Sequence, residues 1–234
     1  MPTTSNRFVL HASSAVALLL AAMSVGGLAL PSLYARETAA WRTQAIAQDW
    51  FDLVVAAPAL LLAARRAGRG SPRSLLVLGG VLLFAIYTLV IYAFAVQLNT
   101  LFLIYCAALG LALYAAITLA YTTDATTVRT LRRPRAAGAL LVSVGVAFAG
   151  LWLAQLVPAA ITGRPPAALA ATGLPTNPVH VMDLAFILPL HVLTGVLLLR
   201  RRRLGDLLAP AVLTFDVLMA SSIACLLVLT PRLA

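Results

Sequence analysis

Two aspartates set in apolar surroundings carry the chemistry this chain offers, and each is followed by the same residues. Asp52-Leu53 precedes Pro58, Asp183-Leu184 precedes Pro189, and each copy runs on through apolar residues into an arginine cluster. Carboxyl groups inside hydrocarbon are costly, so they are retained where they bind protons or polar solutes or act as acid and base. Gln48, Asp49 and Asp52 share one narrow helical arc by their spacing. His180, Asp183, Ile187 and His191 follow an i, i+3, i+7, i+11 stripe that puts three polar groups on one face. Asp216 falls about 15 Å from the start of its own apolar run, at the expected depth of His191, so these two are expected to be hydrogen-bonded across adjacent helices. The ligand- or proton-binding candidates are therefore Gln48, Asp49, Asp52, His180, Asp183, His191 and Asp216. Asp49 and His180 also suit a plain interfacial position, and Trp50 suits an aromatic belt.

The elements that position them are membrane helices. The composition is 62% hydrophobic and 10% charged, with mean hydropathy +0.98, against roughly 45–50% and 25% in soluble domains. Seven runs approach the roughly 20 residues needed to cross hydrocarbon: Phe8–Leu30, Ala45–Ala64, Leu75–Val96, Leu101–Tyr121, Ala137–Ala159, Val179–Leu199 and Leu207–Leu229. The first is longer than a signal-peptide core and lacks a small-x-small site after it, so it is expected to remain as a span. Arginines alternate: Arg65, Arg66, Arg69 and Arg73 follow the second span, Arg129, Arg132, Arg133 and Arg135 the fourth, and Arg200 to Arg203 the sixth. The opposite loops hold only Arg36, Arg42 and Arg164, which predicts a cytoplasmic N-terminus and an outside C-terminus in a prokaryotic-type inner membrane. Only fifteen residues separate Asp49 from Arg65, which places Asp49 and Asp52 roughly 5–10 Å inside the outer boundary.

The fold class expected is an all-α polytopic bundle, one transmembrane domain over 1–234. The matched motifs add a candidate parallel 3+1+3 repeat, units 8–96 and 137–229 joined by the span 101–121. Asp216 has no counterpart in the third span, which weakens that repeat. Pro58 and Pro189 are expected to kink their helices by removing a backbone bond near the membrane centre. Ala22 with Gly26, and Gly145 with Ala149, are small-xxx-small pairs suited to close helix packing. Tyr87, Tyr92, Tyr105 and Tyr114 suit either a pocket wall or hydroxyls bonded to neighbouring helices, and Cys106 and Cys225 suit apolar packing. The stretch from Gly163 to Pro178 is the longest outer loop and reads as a flexible connection.

All seventeen basic residues are arginine, which excludes a retinal Schiff base and any lysine nucleophile. The basic excess sits at span ends, so it signals topology and not nucleic acid. No HExxH or CxxC spacing supports a metal site from His180, Asp183 and Asp49 or Asp52, and His11 and His191 differ too much in depth to share a haem. No cofactor is identified. Gln48-Asp49, Asn99-Thr-Leu-Phe-Leu-Ile-Tyr105 and Leu174-Pro-Thr-Asn-Pro-Val-His-Val-Met-Asp183 resemble stretches of uncharacterised bacterial and archaeal multi-pass membrane proteins. The resemblance covers most of the chain and implies a membrane bundle without an assigned activity.

Three functions fit these residues. The first is a transporter-like or ligand-binding bundle with an outward-facing carboxylate and histidine pocket for protons or a small solute, between the second, sixth and seventh spans. Its layout is that of SWEET-type transporters, without their Pro-Gln signature. The second is a membrane enzyme acting on a lipid or isoprenoid by acid/base catalysis, as membrane terpene cyclases do, without a motif that links it to them. The third is an accessory subunit whose polar groups only join helices. The partners implied are the lipid bilayer and a small-molecule or lipid ligand.

Overall fold

A computed structural model describes residues 4–123 and 131–233; Arg129 lies outside the described residues. Seven helices are long and apolar enough to cross a membrane: α1 (Arg7–Ala29), α2 (Ala39–Gly68), α3 (Pro72–Ala95), α4 (Phe102–Thr122), α5 (Pro134–Thr162), α6 (Pro178–Leu199) and α7 (Arg203–Leu233). Local chemistry sets their ends. Thr38 and Ser71 cap α2 and α3 by accepting from Trp41 N–H and Ser74 N–H, and Asn177 caps α6 by accepting from Val179 N–H. Pro72, Pro134 and Pro178 open α3, α5 and α6, where a missing N–H costs nothing. Gly163, at φ 65°, stops α5 in the left-handed conformation that glycine adopts freely.

The repeated motif has a repeated structure. α2 contains a π-helical turn over Asp52–Ala56, and α6 contains one over Asp183–Ile187. Ala57 N–H bonds back to the Asp52 carbonyl, and Leu188 N–H to that of Asp183. Each proline follows one residue later. Its ring would collide with the carbonyl four residues back and it offers no N–H, so widening the turn before it relieves both defects. Where a kink is expected, each helix has a π turn. The stripe read from the sequence does not meet a single partner helix: Asp183 bonds to Tyr87 and Trp152, and His191 to Asp216.

The helices pack as two groups. α1, α2, α3 and α4 share the main core, which also takes in Ile187 of α6 and Phe215 and Leu218 of α7. α5, α6 and α7 share a smaller cluster of Leu141, Leu198, Ala209 and Val212. α4 packs on α1 and α3, whereas α5 packs chiefly on α6. The α5–α6 seam is close because glycines face each other: a Cβ on Gly195 would stand 2.6 Å from the Gly138 carbonyl oxygen. Gly145 lies in the same seam against Leu188 and His191.

Several expectations are corrected. α2 begins at Ala39, six residues before the apolar run, because Thr38 supplies a cap that hydropathy does not register. Ala22 and Tyr114 are exposed on the bundle surface, as is Cys106, so none of them packs a helix seam. The loop after Gly163 is not a plain connection. It forms a short helix, Ala167–Thr172, whose last carbonyl accepts a hydrogen bond from Thr38 Oγ1 at 3.2 Å.

Candidate functional site

Four polar centres lie between these helices, and three of them converge on one cavity. In the first, Asp49 of α2 is fully buried (0% exposed). Tyr34 donates to its Oδ2 at 2.7 Å, and Tyr92 of α3 donates to its Oδ1 at 2.7 Å. Tyr34 reaches it because Pro31 opens a single 3₁₀ turn after α1. Gly27 leaves the space the carboxylate fills. Burial, and then the Asp49 charge and hydrogen bond, push the Tyr34 phenol well above the ordinary tyrosine range. The Tyr105 ring lies 5.4 Å from that of Tyr92 and walls off the centre.

One turn on, Gln48 bridges two helices. Its Nε2 donates to Asp52 Oδ1 at 2.9 Å, and its Oε1 accepts from the Ser222 hydroxyl of α7 at 2.8 Å. Asp52 is also fully buried, and among the described residues its Oδ2 has no partner.

The third centre is Asp183 of α6. Its Oδ1 accepts from Tyr87 of α3 at 3.1 Å and its Oδ2 from the Trp152 indole of α5 at 2.8 Å. His180 lies against the Trp152 ring, with centroids 4.6 Å apart.

The fourth centre is the expected pair of His191 and Asp216. Nδ1–H donates to the Ile187 carbonyl at 2.7 Å, and Nε2 lies 2.6 Å from Asp216 Oδ1. A carbonyl can only accept, so Nδ1 carries a proton and the Nε2–Oδ1 contact holds a second one. The pair holds both protons whichever atom owns the second. Phe215 packs between it and Tyr87, 6.3 Å from the His191 ring and 5.7 Å from the Tyr87 ring.

A cavity of about 110 Å³ opens among α2, α3 and α7 near the arginine-poor end, with Val179 alone from α6. Its walls include Gln48, Tyr87, Tyr92 and Ser222. Each of three carboxyl groups thus stands one hydrogen bond behind the wall: Asp49 behind Tyr92, Asp52 behind Gln48, Asp183 behind Tyr87.

Of the seven residues picked from the sequence, only Gln48 lines this cavity. Asp49, Asp52 and Asp183 support it from behind. His180 faces a separate groove between α5 and α6, and the His191–Asp216 pair is set apart by Phe215. The expected single pocket between the second, sixth and seventh helices is thus built mainly on the third, because α3 supplies both tyrosines that receive the acids. Tyr34, Trp152 and Ser222 were absent from the sequence reading. Their only signal is a hydroxyl or indole N–H in or beside an apolar span, which many packing residues share. Among the described residues, no three His, Cys, Asp or Glu side chains are grouped closely enough to hold a metal ion.

Fold and site together define a multi-pass membrane protein, a seven-helix bundle with a buried polar centre. Compared with known proteins, the chain matches no family model, no curated protein and no solved structure.

Proposed function

We propose that this bundle is a transporter-like, ligand-binding membrane protein whose central cavity takes a small solute. The observation that carries the reading is the cavity wall: its polar groups Gln48, Tyr87 and Tyr92 are each bonded to a carboxyl group behind them, buried in Asp49 and Asp52 and half-buried in Asp183. A structural role alone needs polar groups satisfied by each other; it does not need them arranged around a space. The two π turns support movement, since a widened turn before a proline is a weak point in the helix ladder and both adjoin the polar centres. The unpartnered oxygen of Asp52 and the His191–Asp216 pair supply groups that exchange protons. With positive loops inside, the cavity faces outward in a prokaryotic inner membrane. The matched motifs support a duplicated plan in which α1–α3 correspond to α5–α7.

The test is purification in native lipid particles, identification of retained small molecules by mass spectrometry, and comparison with Asp52→Asn and Asp183→Asn. Loss of a retained molecule in folded variants is expected. Retention unchanged in both variants refutes the reading.

A second reading, acid/base chemistry on a lipid, draws on a different feature. The groove between α5 and α6, of about 610 Å³, joins His180 and Trp152 to apolar Leu156 and Leu184. Turnover of an isoprenoid lipid that is lost in His180→Ala, with solute binding intact, would favour it.

A further inference from the structure

We propose that the solute is a small organic amine bound as its ammonium ion, an assignment that rests on reading the central cavity as a ligand site. The wall chemistry argues for a ligand that donates hydrogen bonds. Trp41, Tyr87, Tyr92 and Ser222 each have one polar hydrogen, and each gives it to the protein: to the Ala95 carbonyl, Asp183, Asp49 and Gln48. What remains toward the cavity on Tyr87, Tyr92 and Ser222 is lone pairs, which accept from N–H groups.

The charge count points the same way. Both oxygens of Asp49 and both of Asp183 accept hydrogen bonds, which favour the ionised form of each carboxyl group. Their partners are neutral. Among the described residues the one ion pair is His191–Asp216, beyond Phe215, and no charged side chain lines the cavity. Carboxylates drawn out of bulk water, Asp49 fully and Asp183 in part, and held only by neutral donors gain from an incoming positive charge. An anion meets no cation there, only the Thr88 hydroxyl and one amide hydrogen each of Gln44 and Gln48.

Shape completes the assignment. The rings of Trp41, Phe84, Tyr87 and Tyr92 surround the space, and aromatic faces attract ammonium groups. A dry protein cavity of about 150 Å³ takes a benzene ring. The 110 Å³ here suits an aliphatic amine of roughly four to six heavy atoms. Such amines are protonated at neutral pH.

The test uses three molecules of one shape: isobutylamine, isobutanol and isobutyrate, titrated by calorimetry at pH 7 into the full chain in lipid nanodiscs. The amine is expected to bind at least about tenfold tighter than the alcohol, with the carboxylate weakest. Ser222→Phe, which fills the cavity, is expected to abolish binding. In Asp183→Asn and Asp49→Asn the amine's advantage is expected to fall to about twofold while alcohol binding persists. Should either variant fail to fold, the unaltered chain decides by the ligand series alone. Alcohol binding as tight as amine, or carboxylate binding tighter, overturns the amine assignment and leaves the ligand site standing. Binding that persists in Ser222→Phe overturns the assignment to this cavity. No binding by any of the three overturns both.

Discussion

Asp49 leaves no room for a methyl group at Gly27. A Cβ built there falls well inside contact distance of Asp49 Oδ2, 2.7 Å from its Cγ and 2.8 Å from the Tyr34 hydroxyl oxygen. Gly27→Ala must therefore push the carboxylate off its tyrosine or α1 off α2. Losing a hydrogen bond to a charged group costs about 1.5–3 kcal/mol, and overpacking costs about 1–3 kcal/mol. The better helix propensity of alanine returns up to about 1 kcal/mol, so the net loss expected is about 2–4 kcal/mol. Its cause can be isolated. In an Asp49→Ala background the obstructing carboxylate is gone, and the same glycine substitution should cost close to nothing. Denaturant unfolding in bicelles of the two single variants and the double variant gives the coupling, expected at about 2–4 kcal/mol. Equal cost of Gly27→Ala in both backgrounds would refute the packing of Gly27 against this carboxylate.

Three further outcomes follow from the same contacts. Gly195→Ala should destabilise by about 1–3 kcal/mol in the same unfolding assay, because its Cβ meets the Gly138 carbonyl, whereas Gly150→Ala, which meets nothing within 4 Å, should be neutral or gain up to about 1 kcal/mol. Trp152→Phe keeps most of the ring but strands Asp183 Oδ2, for an expected loss of about 1.5–3 kcal/mol, while Trp50→Phe on the exposed side should change little; equal effects would count against the Trp152–Asp183 bond. The raised Tyr34 phenol contributes stability that is whole below the unfolded tyrosine value of about 10 and is lost as pH rises beyond it. Tyr34→Phe should accordingly flatten the alkaline fall in melting temperature, and an unchanged alkaline slope would show that Tyr34 ionises freely.

Much of the architecture was legible in the chain. Apolar run length and alternating arginines give seven spans, since hydrocarbon thickness and backbone hydrogen bonding leave few alternatives. The spacing of Gln48, Asp49 and Asp52 marked a polar arc in the second span, and the structure buries both aspartates inside the bundle. Rise per residue also matched His191 with Asp216, because two groups at equal depth on adjacent helices meet if their faces agree. Helix starts were less legible: the cap by Thr38 and the helix at Ala167–Thr172 depend on short polar contacts that hydropathy ignores.

By itself, then, the sequence determined that seven helices are long and apolar enough to cross a membrane, and that Asp-Leu-x4-Pro distorts a helix twice. Proline dictates that distortion locally, through its ring and missing N–H. Only the tertiary structure decided what Asp49, Asp52 and Asp183 face. Asp183 goes to Tyr87 and Trp152, on two helices that its spacing along α6 does not indicate. The third helix, which carries no acid, provides the two tyrosines that join Asp183 and Asp49 to the cavity. Rotation about a helix axis is set by packing against neighbours such as the facing glycines of α5 and α6, and no spacing along one helix encodes it.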